Sequence, residues 1–168
     1  MKKISLIVLA AIFGIATASA QFEQGAKSLT ARTTGLGFES VSNDGNAMYS
    51  KFNLGVAGTY FVIDKLAVVA GVDVNYVKPD GIDATTTIDF EVGARYYVWE
   101  ALFAGVSYVG ESVTDEDLQS NVKINVGYTW YLTENVFFEP TLYYQLGFAP
   151  EENKINVFGL QVGIGVNF

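Results

Sequence analysis

The chain has 168 residues, half of them hydrophobic, with 18 acidic and 10 basic side chains, no histidine and no cysteine. That length suits a single domain. The two missing residue types exclude a histidine general base, a Ser-His-Asp triad, a Cys/His zinc centre, a disulfide and a lipid-modified N-terminal cysteine, and 17 Gly and 24 aromatic residues against 3 Pro suit strands and tight turns.

In chain order, the first predicted element is a cleavable secretory signal peptide at residues 1–20. Lys2 and Lys3 form its charged region, Ile4 to Thr17 its apolar run, and Ala18-Ser19-Ala20 its cleavage site. The rival reading, an uncleaved anchor, needs an apolar run of roughly 20 residues, longer than this one. Cleavage before Gln21 leaves one domain, residues 21–168. No later apolar run is long enough to cross a bilayer as a helix, so a membrane role falls to strands.

From Phe52 onward, apolar residues alternate at period two, the signature of strands with unlike faces. One face carries Phe52, Leu54, Val56, Gly58, Tyr60 and Val62, then Leu66 to Tyr76, Thr86 to Val98, Leu102 to Tyr108, Val122 to Leu132, Val136 to Phe148 and Phe158 to Phe168, taking every second residue. None of these positions is charged. The other face carries Lys51, Asp73, Asp89, Glu91, Arg95, Lys123 and Glu139 among many glycines. Glycines and isolated charges of both signs fit the crowded interior of a narrow closed barrel, so the apolar face is expected to look outward into lipid. Tyr60, Tyr96 and Trp130, just ahead of the short turns, and Tyr76, Tyr108 and Tyr144 with Phe148, toward the other strand ends, then form two aromatic girdles.

Two places resist the alternation. In the first strand, Leu29 to Phe38, placing Arg32 in the lumen leaves Leu36 and Phe38 inward unless a bulge intervenes near Thr33 to Gly35. Pro140 removes a ladder donor from the middle of a strand, which predicts a bulge or weak pairing there.

The short turns repeat. Thr59 to Leu66, Arg95 to Leu102 and Thr129 to Val136 align without a gap as x-aromatic-aromatic-aliphatic-x-acidic-x-aliphatic. Val62 to Val98 is 36 residues and Val98 to Leu132 is 34, enough for two membrane-length strands and their connections. Four such hairpins predict an all-β, eight-stranded antiparallel up-and-down transmembrane β-barrel. The remaining connections, Glu39 to Ser50, Lys78 to Ala84, Glu111 to Ser120 and Ala149 to Lys154, are polar, turn-prone and acidic. Short turns at one rim and longer loops at the other is the asymmetry of outer-membrane barrels, which puts the short turns in the periplasm and the acidic loops outside.

The signal peptide, the hairpin repeat and the terminal Val166-Asn167-Phe168 together resemble the small outer-membrane β-barrel proteins of Gram-negative bacteria, the OmpA-barrel and OmpX-like group of porin-family barrels. The resemblance implies export through the Sec pathway, residence in the outer membrane, and an assembly signal read from Val166 and Phe168 by the barrel-assembly machinery. It also implies lipid and lipopolysaccharide as surroundings and a monomeric state. The peptidoglycan-binding domain that OmpA-type proteins carry after the barrel is expected to be missing, since nothing follows Phe168.

The interior charges Arg32, Lys51, Asp73, Asp89, Glu91, Arg95, Lys123 and Glu139 read either as an ion or proton path, or a catalytic carboxylate pair, or as a network that fills the lumen. The last is preferred, because eight strands enclose little more than their own side chains and an unpaired charge there is costly. Barrel enzymes of this architecture use histidine, so no catalysis is expected. Gly35-Leu36-Gly37 and Gly163-Ile164-Gly165 lack the following helix of a nucleotide site. Asp115-Glu116-Asp117 reads as a solvated loop rather than a calcium site. No cofactor, metal or nucleic acid is expected. The chain therefore reads as a structural or surface-interaction barrel, the alternative being a small low-conductance channel for ions or small solutes.

Overall fold

The structure, a computed structural model, describes residues 22–34, 38–43, 46–79, 83–99, 101–113, 119–147 and 156–168; for 38–43, 46–51, 79, 113 and 156 it describes the backbone alone. The described elements are β1 Lys27–Thr34, β2 Phe38–Asn43, β3 Asn46–Ile63, β4 Leu66–Pro79, β5 Thr85–Trp99, β6 Leu102–Val113, β7 Gln119–Tyr128, β8 Trp130–Tyr131, β9 Val136–Gly147 and β10 Asn156–Asn167. Every pairing is antiparallel, and β1 pairs with both β3 and β10, which closes the sheet into a barrel. Because β1 and β2 both run along β3, and β7 and β8 both run along β9, these segments form eight staves: β1/β2, β3, β4, β5, β6, β7/β8, β9 and β10.

Closure explains the alternation. A barrel has no free edge, so each strand offers one side chain to the interior and the next to the surroundings. Along β5, Phe90, Val92 and Tyr96 are exposed while Glu91, Arg95 and Tyr97 are buried. On β3, Phe52, Leu54 and Val56 are likewise outside, with Asn53 and Ala57 inside. Val92 is 63% exposed beside Glu91 at 3%, the reverse of a soluble core.

The first stave contains the expected irregularity. Arg32 pairs with Gly55, whereas Phe38 pairs with Phe52, so the register against β3 changes by an odd number of residues between the two segments. This odd offset brings Phe38 level with the outward Phe52; Gly35, Leu36 and Gly37 lie outside the described residues. Asn53 satisfies the polar groups freed at the offset. The Thr33 hydroxyl donates to its carbonyl oxygen at 2.6 Å, and the Thr34 N–H donates to its Oδ1 at 2.6 Å.

At Pro140 the outcome is divided. The register of β9 against β10 runs through Val162↔Pro140 without a shift, so no bulge forms. Pairing on the other side lapses: Gly127↔Thr141 and Trp130↔Phe138 share one register, and the ladder between them is interrupted at Thr129. A proline without an N–H cannot close that rung.

The strands extend further into the polar connections than their composition suggests. Most of the expected loop from Glu39 to Ser50 is a paired hairpin, Glu39↔Lys51 through Ser42↔Met48, because a ladder is made by backbone groups and β3 extends the template. Lys78 and Pro79 likewise belong to β4, Glu111 to Val113 to β6, and Gln119 and Ser120 to β7. The acidic Asp80, Asp115, Glu116, Asp117, Glu151 and Glu152, together with Phe148, lie outside the described residues.

The aligned short turns share a construction. Register slips fall between Phe61 and Ile63 and between Tyr97 and Trp99, so Val62 and Val98 occupy the same bulged position. In the third turn, the Leu132 and Thr133 N–H groups donate to the Val136 carbonyl at 2.8 and 3.1 Å. Lys65 adopts a left-handed φ of 64°, which tightens the first turn.

Candidate functional site: the barrel interior

Inward positions at the short-turn end are filled by rings. Phe61, Tyr97 and Phe103 pack with Ala26 and Ala67 into a buried cluster. Tyr97 lies 5.5 Å from Phe61 and 5.4 Å from Phe103, centroid to centroid, and Tyr131 lies 5.8 Å from Phe137. These are favourable tilted and edge-on geometries.

Above the rings stands Arg95 on β5. Its guanidinium donates to Glu139 Oε1 on β9 at 2.8 Å and to the Thr59 hydroxyl at 3.2 Å. The same group lies 4.7 Å from the Phe103 ring centroid. Glu139 Oε2 accepts from the Thr129 hydroxyl at 3.0 Å, and Thr129 contacts the Tyr97 hydroxyl.

The next layer crosses the lumen. Arg32 on the first stave binds both carboxylate oxygens of Asp73 on β4 and lies 2.6 Å from Glu91 on β5. Lys123 on β7 reaches the same Glu91 at 2.5 Å, so one carboxylate is shared by cations from two sides. Toward the other rim, Asn53 donates to Asn75 at 2.7 Å and Asn75 to Asp89 at 2.6 Å. Voids of about 30 Å³ lie between the charge layers, bordered by Arg32, Arg95, Glu139, Thr141 and Gln161, each large enough for a water molecule.

Of the predicted interior residues, Arg32, Asp73, Glu91, Arg95, Lys123 and Glu139 are buried and joined in ion pairs, while Asp89 is half-buried and bonded to Asn75. The Lys51 side chain lies outside the described residues. The girdle residues Tyr60, Tyr76, Tyr96, Tyr108, Trp130 and Tyr144 all face outward and are exposed. Phe168 is exposed, Val166 is half-buried, and the Phe168 N–H donates to the Lys27 carbonyl at 3.0 Å. Gly163 and Gly165 face inward, where an added Cβ would strike Thr30 and Phe137. Gly35 and Gly37, and Asp115 to Asp117, lie outside the described residues. Among the described residues, no group of three His, Cys, Asp or Glu side chains could hold a metal.

Reasoning from charge alone missed the neutral partners. Thr59, Thr129, Asn53 and Asn75 fall on the inward parity of the alternation, which is the signal that could have found them. Phe22 has no such signal, because it precedes the first strand.

No protein-family model matches the chain, and neither does any curated protein. Solved structures do. OprG, an outer membrane protein of Pseudomonas aeruginosa, superposes with a TM-score of 0.56 at 18% identity, over 87% of this chain and 97% of that one. The fold is that of small outer-membrane β-barrels. The Yersinia pestis outer membrane protein Ail gives 0.57 at 11% identity over 86% and 100% of the two chains, and the N-terminal barrel domain of Pseudomonas aeruginosa OprF gives 0.54 at 14% over 86% and 98%. At these identities the likeness is one of fold, and the side chains that fill this barrel are argued from its own sequence.

Proposed function

We propose that the protein is an integral outer-membrane barrel whose interior is closed by its own side chains and which serves as a structural or surface-interaction protein through acidic extracellular loops. The observation that carries this reading is the shared Glu91. Arg32 and Lys123 grip it from staves on either side of β5, with the Arg95–Glu139 pair and the ring cluster stacked toward the short turns. Each of these pairs has replaced water with an opposite charge, so separating them to admit a hydrated ion would expose uncompensated charge.

In this reading the short turns face the periplasm, the outward girdles sit at the two interfaces, and lipid and lipopolysaccharide surround the wall. The barrel works as a monomer, after the assembly machinery has recognised Val166 and Phe168. It carries out no catalysis, since its buried carboxylates Asp73, Glu91 and Glu139 serve as ion-pair partners. Conductance in planar bilayers tests this. The purified protein is expected to give no steady conductance, and a steady current would favour the alternative, a small channel for ions or small solutes.

A further inference from the structure

Among the described residues, the rings that pack inside the short-turn end come from strands, apart from Phe22. Phe22 belongs to the turn that precedes β1, yet its centroid lies 4.3 Å from Tyr97, 5.9 Å from Phe61 and 5.9 Å from Tyr131. Those three rings stand on β5, β3 and β8, and the staves of β3 and β8 are on opposite sides of the barrel. A single ring touches all three only near the barrel axis, so Phe22 lies across the mouth.

The turn is fastened on one side. Gly25 N–H donates to the Phe61 carbonyl at 2.9 Å, and Lys65 N–H donates to the Phe22 carbonyl at 2.8 Å. Gln24 N–H donates to Asp64 Oδ1 at 2.9 Å, and Gln24 Nε2 donates to the Val62 carbonyl at 3.1 Å. These bonds all run to residues 61–65, whereas toward the opposite wall the contact is the ring of Tyr131. Gly25, with a φ of +91° that other residues rarely adopt, joins the turn to β1. Behind Phe22 lie Tyr97, 1% exposed, and Ala67, fully buried, and beyond them the Arg95–Glu139 pair.

We propose that residues Phe22 to Gly25 form a hinged seal on the periplasmic mouth of the barrel, attached along residues 61–65, with the Phe22 ring keeping water from the aromatic layer. The inference rests on the closed-lumen reading and names the element that completes the closure. It makes the first residues after the expected cleavage site part of the barrel.

The chain has no cysteine, so Ala67→Cys supplies a single thiol directly behind the seal. Its reaction with a water-soluble maleimide is measured on protein extracted from outer membranes, with folding checked by gel mobility before and after heating. Phe22→Ala is expected to raise the labelling rate on the order of ten-fold or more, as a protecting contact is lost, and Phe22→Leu far less. Gly25→Ala, which strains the hinge without meeting any atom within 4 Å, is expected to fall between them. Equal rates in the Ala67→Cys parent and in the Phe22→Ala and Gly25→Ala variants would overturn the seal. Steady conductance by the unaltered protein would instead defeat the closed lumen, so the two failures are told apart.

Discussion

Arg95 on β5 and Glu139 on β9 meet at 2.8 Å inside the barrel, with β6 and the β7/β8 stave between them along the wall. The pair is buried, and the Thr59 and Thr129 hydroxyls complete it. Removing one partner leaves the other charged in a site built for two. Arg95→Met is therefore expected to lower unfolding stability by about 3–5 kcal/mol in urea titrations of the micelle-folded protein. Adding Glu139→Gln should recover much of that loss. A single variant as stable as the parent would mean that the pair is open to water.

The outward face makes a depth-dependent prediction. Val72 lies in the middle of β4, opposite Val56 and Phe90, whereas Ile63 lies beside the first short turn. Val72→Arg should cost about 2–4 kcal/mol of folding stability in bilayers, and Ile63→Arg at most about 1 kcal/mol. Equal costs would remove the lipid assignment of this face.

Two glycines on one strand distinguish inside from outside. A Cβ on Gly55 would overlap the Asp73 carboxylate that binds Arg32 and come within 3.0 Å of the Val72 carbonyl oxygen, whereas a Cβ on Gly58 meets nothing nearer than the Ala70 carbonyl oxygen at 4.0 Å. Gly55→Ala should destabilise by about 1–3 kcal/mol, the usual range for overpacking. Gly58→Ala should be neutral or mildly stabilising, and thermal unfolding of the two variants separates these outcomes.

Pro140→Ala restores the missing N–H beside the ladder break at Thr129. The gain of about 0.5–1.5 kcal/mol from a hydrogen bond is largely offset by about 0.4–1 kcal/mol from the freer unfolded chain. The diagnostic is local: the new amide at residue 140 should exchange slowly in hydrogen-exchange measurements. Fast exchange there would show that the interruption has another cause.

Much of this architecture is legible in the sequence because the barrel interior and the lipid impose opposite chemistry on adjacent residues. The alternation of Glu91 with Val92, and of Lys123 with Ile124, follows directly. The aligned Val62 and Val98 likewise mark equivalent bulges. The remainder depends on relations that period two does not carry. Which cation meets Glu91 is set by how far the staves are staggered around the wall, and the polar run from Asn46 to Ser50 pairs because its neighbour continues. Phe22 is one aromatic outside any repeat, and only the closed mouth gives it a partner.

Whether the apolar barrel wall faces lipid is tested by the two tryptophans. Trp99 and Trp130 are 71% and 62% exposed, both close to the short turns and both pointing away from the lumen. In vesicles, their fluorescence should be quenched strongly by lipids brominated near the headgroup end of the acyl chain, weakly by lipids brominated at the chain terminus, and little by acrylamide in the water. Quenching by acrylamide alone, with no response to brominated lipid, would place this wall in water.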